Sequence, residues 1–423
     1  MAVIDFSRSG LAKSQLDKCA KRLVPEVKKL RQATYQSQDA SLCVPNDRAI
    51  LRVVESAIHM KRKLNPQLVV VVGIGGSNLG TQAIAEAVGT KLAIRYADTV
   101  DSDALAKIAD EVQDVLRQGS QVIINIISKS GSTLETVANF EVLLNVLRRH
   151  RKNAGDYVVA TTDKGSALWN LALNSNWSLL EIPKHVGGRY SVFTPVGLFP
   201  LGLAGVDIVS LLDGAQGMLD QTLSLDAAKN PAARGAAFLF LHNKARRQVH
   251  DTFIFAKSLE SLGKWYRQLL AESVGKEFDK NKKRVRTGIL PTVSVGSTDL
   301  HSVGQLYLGG PDIRTTNFVT THFKTEVRVP SYPEFNKLIQ GVQKRTLSEL
   351  LKAIASGTMK SYAKKNRPYI HTRLDGCTAR ELGAFMQLKM VETMLLAKLL
   401  NVNAFDQPNV ESYKVEARRI LSR

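Results

Sequence analysis

Three short aliphatic runs, at residues 68–72, 122–127 and 157–160, each empty into a turn and then into a helical pattern; the first two turns are rich in glycine or serine. Strands that are apolar on both sides belong inside a parallel sheet covered on both faces by its crossover helices. This rhythm predicts a first doubly wound α/β domain over residues 45–205. A second alternation starts near Ala232, with strand candidates at 252–256, 288–295 and 317–321 and a helix at 259–270, and predicts a second α/β domain over 206–400. Residues 1–44 read as a helical N-terminal segment, within a helical pattern that runs on to about residue 65. Residues 401–423 read as a polar C-terminal arm. A chain of 423 residues with 44% hydrophobic side chains is long enough for two packed domains.

Several function classes are set aside by composition. No apolar run reaches the roughly 20 residues that cross a bilayer. The most apolar stretch, 385–400, carries Lys389, Glu392 and Lys398 and predicts a buried helix. The N-terminus has Asp5, Ser7 and Arg8 where a secretory signal needs an apolar core, so a cytoplasmic location is expected. Cys19, Cys43 and Cys377 are odd in number and far apart, which suits neither a disulfide framework nor a zinc site. The net charge of +20 gathers at 148–152, 276–286 and 360–367. Those runs lack interleaved aromatics at a useful density, and no DNA- or RNA-binding signature accompanies them. Solvated faces are expected rather than a specific nucleic-acid site, with weak, salt-sensitive polyanion binding as a second activity.

The turn at 73–80 holds Gly73, Gly75, Gly76, Ser77 and Gly80 after a strand and before a helix expected from Thr81. Free backbone N–H groups and the positive helix end make such a turn an anion seat, to which Ser77 can add a hydroxyl. As a dinucleotide fingerprint it is incomplete: Asn78 occupies the third glycine position, and Asp98 and Asp101 are poorly placed for a ribose. A tight turn without a ligand is the alternative. The second turn, Ser128, Lys129, Ser130, Gly131, Ser132 and Thr133, sets four hydroxyls and one cation at a helix start. Ser132 and Glu135 also have the spacing of a capping box. Two such turns on neighbouring parallel strands meet in one crevice, where a phosphomonoester is the natural guest.

Four further residues could carry chemistry: Arg189 in the turn 187–191, Glu272 at the end of a helical run, His301 after a strand, and Lys414 in the arm. Singly, each has a plain structural explanation, such as an ion-paired arginine or the helix-surface pair Glu411 and Lys414. In their order along the chain, however, they match a pattern. The turn Gly75-Gly76-Ser77, Ser128-Lys129 with Thr133 and Glu135, Gly187-Gly188-Arg189-Tyr190-Ser191, Glu272-Ser273 with Gly275-Lys276, His301, and Phe405-Asp406-Gln407 with Val410, Glu411 and Lys414 make the chain resemble the glucose-6-phosphate isomerase family over nearly its whole length.

The resemblance implies two sugar-isomerase domains with helical extensions at both ends, no metal or organic cofactor, and a homodimer in which each subunit donates His301 to the other's site. It further implies that Ser77, Ser128, Lys129, Ser130 and Thr133 bind the phosphate, with Gly76, Glu135 and Gly188 completing the substrate-binding set. His301 and Lys414 are implied in ring opening, Glu272 in moving a proton between C2 and C1 through a cis-enediol, Arg189 in stabilising that intermediate's charge, and Gln268 and Gln407 in orienting hydroxyls. Pro408-Asn409 departs from the family's commoner residues before Lys414, and the chain is of the compact bacterial size. An isomerase for mannose 6-phosphate or an amino-sugar phosphate is the rival within enzymes. A phosphosugar-sensing protein is the rival outside them, though such a protein lacks the pair Glu272 and His301.

Overall fold

The computed structural model describes residues 3–422. Its strands, in chain order, are β1 (Val3–Asp5), β2 (Pro66–Val72), β3 (Ala93–Ala97), β4 (Gln121–Ile127), β5 (Val158–Thr162), β6 (Ser178–Glu181), β7 (Val249–Ile254), β8 (Lys276–Phe278), β9 (Arg284–Thr287), β10 (Leu290–Val295), β11 (Arg314–Thr321) and β12 (Tyr369–Leu374). The first sheet, β3-β2-β4-β5-β6, is parallel throughout. In the second, β1-β12-β11-β7-β10, only β1 runs antiparallel. A hairpin of β8 and β9 stands apart from both.

The alternation along β2 explains why its sheet is covered twice. Val69 and Val71 face one core, and Leu68, Val70 and Val72 face another against the helices Ser102–Arg117 and Leu134–His150. The larger core is shared by both sheets, since it also takes in Ile254 of β7, Val319 of β11 and Ile370 of β12. Behind the second sheet lies an aromatic cluster in which Phe253 stacks on Phe318 at 5.7 Å.

Through the shared core runs the helix Ala379–Leu399, buried on every side as its apolar composition foretells. Its charges survive there because they are paired: Lys389 Nζ lies 2.9 Å from Glu392 Oε1, which also accepts from Tyr266 Oη at 2.8 Å. The neighbouring helix Ile208–Thr222 touches it backbone to backbone. A Cβ on Gly214 would lie 1.9 Å from the Arg380 carbonyl, and one on Gly383 would lie 2.0 Å from that of Leu211.

Three local expectations change. Residues 3–5 form a strand within the segment expected to be helical, because β12 offers it an edge. The strand expected at 252–256 lies at Val249–Ile254, since His250 and Asp251 are buried polar residues that hydropathy reads as loop. The first glycine turn opens its helix at Leu79 rather than Thr81. The basic runs, too, are only partly solvated faces. Arg151 is spent on Gln121 and the Ser120 carbonyl, and Arg367 on the Leu308 carbonyl and Asp312.

Candidate active site

Strands β2 and β4 are neighbours in register, Val72 opposite Ile126, so the turns that follow them open at the same edge of the sheet. In the first turn Gly75 has φ +60°, a conformation glycine adopts freely, and its missing side chain leaves room for the Gln268 amide, whose nitrogen would lie 2.9 Å from a Cβ placed there. Gly76 lies against Gly188: a Cβ there would stand 2.2 Å from the Gly188 carbonyl carbon. Ser191 Oγ donates to the Gly76 carbonyl at 3.3 Å and fixes the same contact from the other side. The phosphate-type turn and the Arg189 turn are thus one unit, with Ser77 half-buried beside them. Asn78 is buried and donates to Asp98 at 2.8 Å, while Asp101 caps the helix Ser102–Arg117. Both acids that a dinucleotide would need are therefore engaged.

In the second turn, Ser128 Oγ sits 3.0 Å from Thr133 Oγ1 and accepts from the Gly131 amide at 3.1 Å. The capping box does not form. Thr133 is the N-cap of the helix Leu134–His150, no side chain caps it, and Ser132 Oγ leans on Ser130 Oγ at 3.5 Å. The N-terminal amides of that helix are left for an anion. Glu135 occupies the first helical turn. Lys129 points elsewhere: its Nζ donates to the carbonyls of Lys184 at 2.6 Å and Val186 at 3.0 Å, tying the turn to the segment before Gly187. Burial pulls the Lys129 pKa down, and the Asp163 carboxylate opposes that shift.

Arg189 is the most constrained residue of the group, with its side chain 3% exposed. Its Nε donates to Ser273 Oγ at 2.9 Å. Nη1 donates to Glu272 Oε2 at 3.1 Å and to Gln407 Oε1 at 2.8 Å, and Nη2 to the carbonyls of Ala404 at 2.6 Å and Asp406 at 3.1 Å. All five of its donors are thereby used. The second carboxylate oxygen of Glu272 accepts from Gln268 Nε2 at 2.8 Å. This i to i+4 bond lies on the helix Glu260–Val274 and holds the carboxylate in one orientation. Gln268 Oε1 is buried and has no hydrogen-bond partner among the described residues. Tyr190 Oη bonds Ser273 Oγ at 2.9 Å and locks the floor.

His301 and Lys414 are not joined to this group within the chain. His301 is exposed after the short 3₁₀ turn Thr298–Leu300. Pro408–Val410 forms another such turn, which leads directly into the helix Glu411–Leu421, and there Lys414 Nζ pairs with Glu411 at 2.7 Å. That helix buries none of its residues. Among the described residues, no hydrogen bond links His301 or Lys414 to Arg189, Glu272 or Gln407. Ser273, Tyr190 and Asp406, by contrast, brace the site without having been assigned a part in it from sequence. Their signal is membership of the same short motifs as Arg189, Glu272 and Gln407, which gives them no role of their own.

A family model described as phosphoglucose isomerase matches residues 61–423. A glucose-6-phosphate isomerase of Rubrobacter xylanophilus is 33% identical over 361 residues, which cover 81% of this chain and 80% of the relative. Among solved structures, a hypothetical protein of Thermus thermophilus has a TM-score of 0.88 at 29% identity, with 100% of both chains covered. A glucose-6-phosphate isomerase of Chlamydia trachomatis has a TM-score of 0.85 at 20% identity, with 100% of this chain and 88% of that one covered, a likeness of fold.

Proposed function

We propose, for a chain that belongs to the phosphoglucose isomerase family, the reversible isomerisation of glucose 6-phosphate to fructose 6-phosphate. The turns after β2 and β4 receive the phosphate through backbone amides and the hydroxyls of Ser77, Ser128, Ser130 and Thr133. Glu272 takes the proton from C2 of the open-chain aldose and returns it to C1 while the hydroxyl proton passes from O2 to O1, so that the carbonyl moves from C1 to C2 through a cis-enediol. Arg189 stabilises the negative charge that develops on the intermediate's oxygen, exchanging its bond to Gln407 or Glu272 for one to that oxygen. Gln268 and Gln407 orient hydroxyls. His301 and Lys414 move the proton needed to open the ring.

The observation that carries this reading is the placement of Glu272. One carboxylate oxygen is held by a buried guanidinium and the other by an amide that touches the phosphate-type turn. A base, a fixed cation and an anion seat are what an aldose–ketose shift requires.

His301 acts from the partner subunit of a homodimer. Its exposure, and its lack of a bond to Glu272 within the chain, support that arrangement. The cytoplasm is the fitting compartment for three cysteines that are all free. Incubation with glucose 6-phosphate should yield fructose 6-phosphate, with mannose 6-phosphate run alongside to settle the epimer. Glu272→Gln should still bind the phosphosugar but lose exchange of the C2 proton with solvent. Full exchange in that variant would place the base elsewhere.

A further inference from the structure

We propose that Lys276 is a positioning residue for the isomerisation, holding the base Glu272 and the segment that carries Gln407 in a single frame. The proposal rests on the reading of Glu272 as the base. Lys276 lies just beyond the helix Glu260–Val274 and is 7% exposed. Its Nζ donates to the main-chain carbonyl of Glu272 at 2.7 Å and to the carbonyl of Asp406, and lies 3.0 Å from the Asp406 carboxylate. Three N–H groups thus meet three acceptors, and the ammonium is fully committed. The Glu272 carbonyl is one of the last four of its helix, which have no partner within it, and a cation there also suits the negative end of the helix dipole.

Packing holds this segment as far as Phe405, whose ring lies 5.5 Å from that of Tyr190, but Gln407 itself is exposed and gains from such a clamp. Asp406, Pro408 and Asn409 line an open cleft of about 500 Å³, together with Lys276, Phe278 and Lys280, so solvent rather than side chains lies behind this segment. Two cations tie it to the rest of the site. Arg189 holds the carbonyls of Ala404 and Asp406 and the side chain of Gln407, and Lys276 takes the same Asp406 carbonyl from beyond the C-terminal end of the helix Glu260–Val274. Glu272 and Gln407 meet on one nitrogen of Arg189, so a displacement of Asp406 moves both groups relative to the substrate.

The test compares the unaltered chain with Lys276→Met, Lys276→Arg and Asp406→Ala, following kcat, KM for glucose 6-phosphate and the thermal midpoint. Lys276→Met is expected to lower kcat about 30-fold, as sub-ångström misplacement of reacting groups does, with KM changed by less than about threefold because the phosphate turns are untouched. Lys276→Arg keeps charge and donors and should recover part of that loss. Asp406 is half-exposed at 49%, so its alanine variant should fold, and it should lower kcat about threefold. A Lys276→Met enzyme with unchanged kcat per folded molecule, or with its whole loss in KM, overturns the proposal. Should that variant fail to fold, an unchanged kcat in Asp406→Ala does so instead. Absence of turnover in the unaltered chain would overturn the reading of the reaction, whereas turnover that survives Lys276→Met removes the positioning role alone.

Discussion

Adding one methyl group at Gly76 tests whether the phosphate turn and the Arg189 turn work as one unit. In Gly76→Ala the new Cβ would stand 2.2 Å from the Gly188 carbonyl carbon, 2.4 Å from its oxygen and 2.6 Å from the Arg189 nitrogen. Ordinary contact begins at 3.4 Å, so the two turns must part by about 1.2 Å. Backbone cannot rotate away as a side chain can, and overpacking of this kind costs about 1–3 kcal/mol of stability. The kinetic cost is of similar size. A 1 Å misplacement between bound substrate and catalytic groups lowers the rate on the order of 100-fold, which corresponds to about 2.7 kcal/mol of transition-state stabilisation. The control is Gly357→Ala: a Cβ there meets nothing within 4 Å, and the helix Leu347–Lys364 should gain about 0.5–1 kcal/mol. The thermal midpoints of the two variants should move in opposite directions, and only Gly76→Ala should lose kcat/KM. A Gly76→Ala enzyme with kcat/KM within about threefold of the parent and an unchanged midpoint would refute the coupling of the two turns.

Other outcomes follow from the same geometry. Arg189→Lys keeps the charge but cannot reproduce five donors in one plane; kcat should fall about 100-fold, measured by initial rates. Lys129→Met frees the segment at 184–186, which should raise KM more than it lowers kcat; the reverse pattern in a substrate titration would place Lys129 at the reacting carbons. His242 is held neutral, with its pKa pushed down to about 4, mainly by burial. Its Nε2 meets the Ser9 carbonyl at 2.8 Å. The unfolded chain binds this proton near pH 6.5 and the folded chain only near pH 4, so stability is lost as pH falls through that window, by about 3 kcal/mol from this one group. Denaturant midpoints at pH 7.5 and 5 would register the loss, and His242→Gln should flatten the slope.

The strands at 68–72 and 122–127 are legible because both of their faces are apolar, and the glycine and serine turns because punctuation follows them directly. β12 is not, since its residues Tyr369–Leu374 mix His371 and Arg373 with apolar ones, and β1 has only three residues. β7 is misplaced by hydropathy because Asp251 is buried and accepts at 3.0 Å from Ser294, 43 residues further along the chain, a satisfaction that only the folded sheet supplies. In the site, Arg189 and Glu272 are found by motif. What holds them is harder to read, because carbonyls of Ala404, Asp406 and Glu272 act as acceptors and main-chain oxygens leave no mark in the choice of side chain.

The order in which the chain is made gives the wiring of the two sheets a temporal meaning. The first sheet is complete within residues 66–181, so it can assemble from a contiguous stretch while synthesis continues. The second sheet closes only when β12 returns to pair with β1, across more than 360 residues of intervening chain. The oxygens that hold Arg189 come later still, from Ala404, Asp406 and Gln407. A nascent chain therefore owns both candidate anion turns long before it owns the main-chain and side-chain acceptors near its C-terminus that hold Arg189.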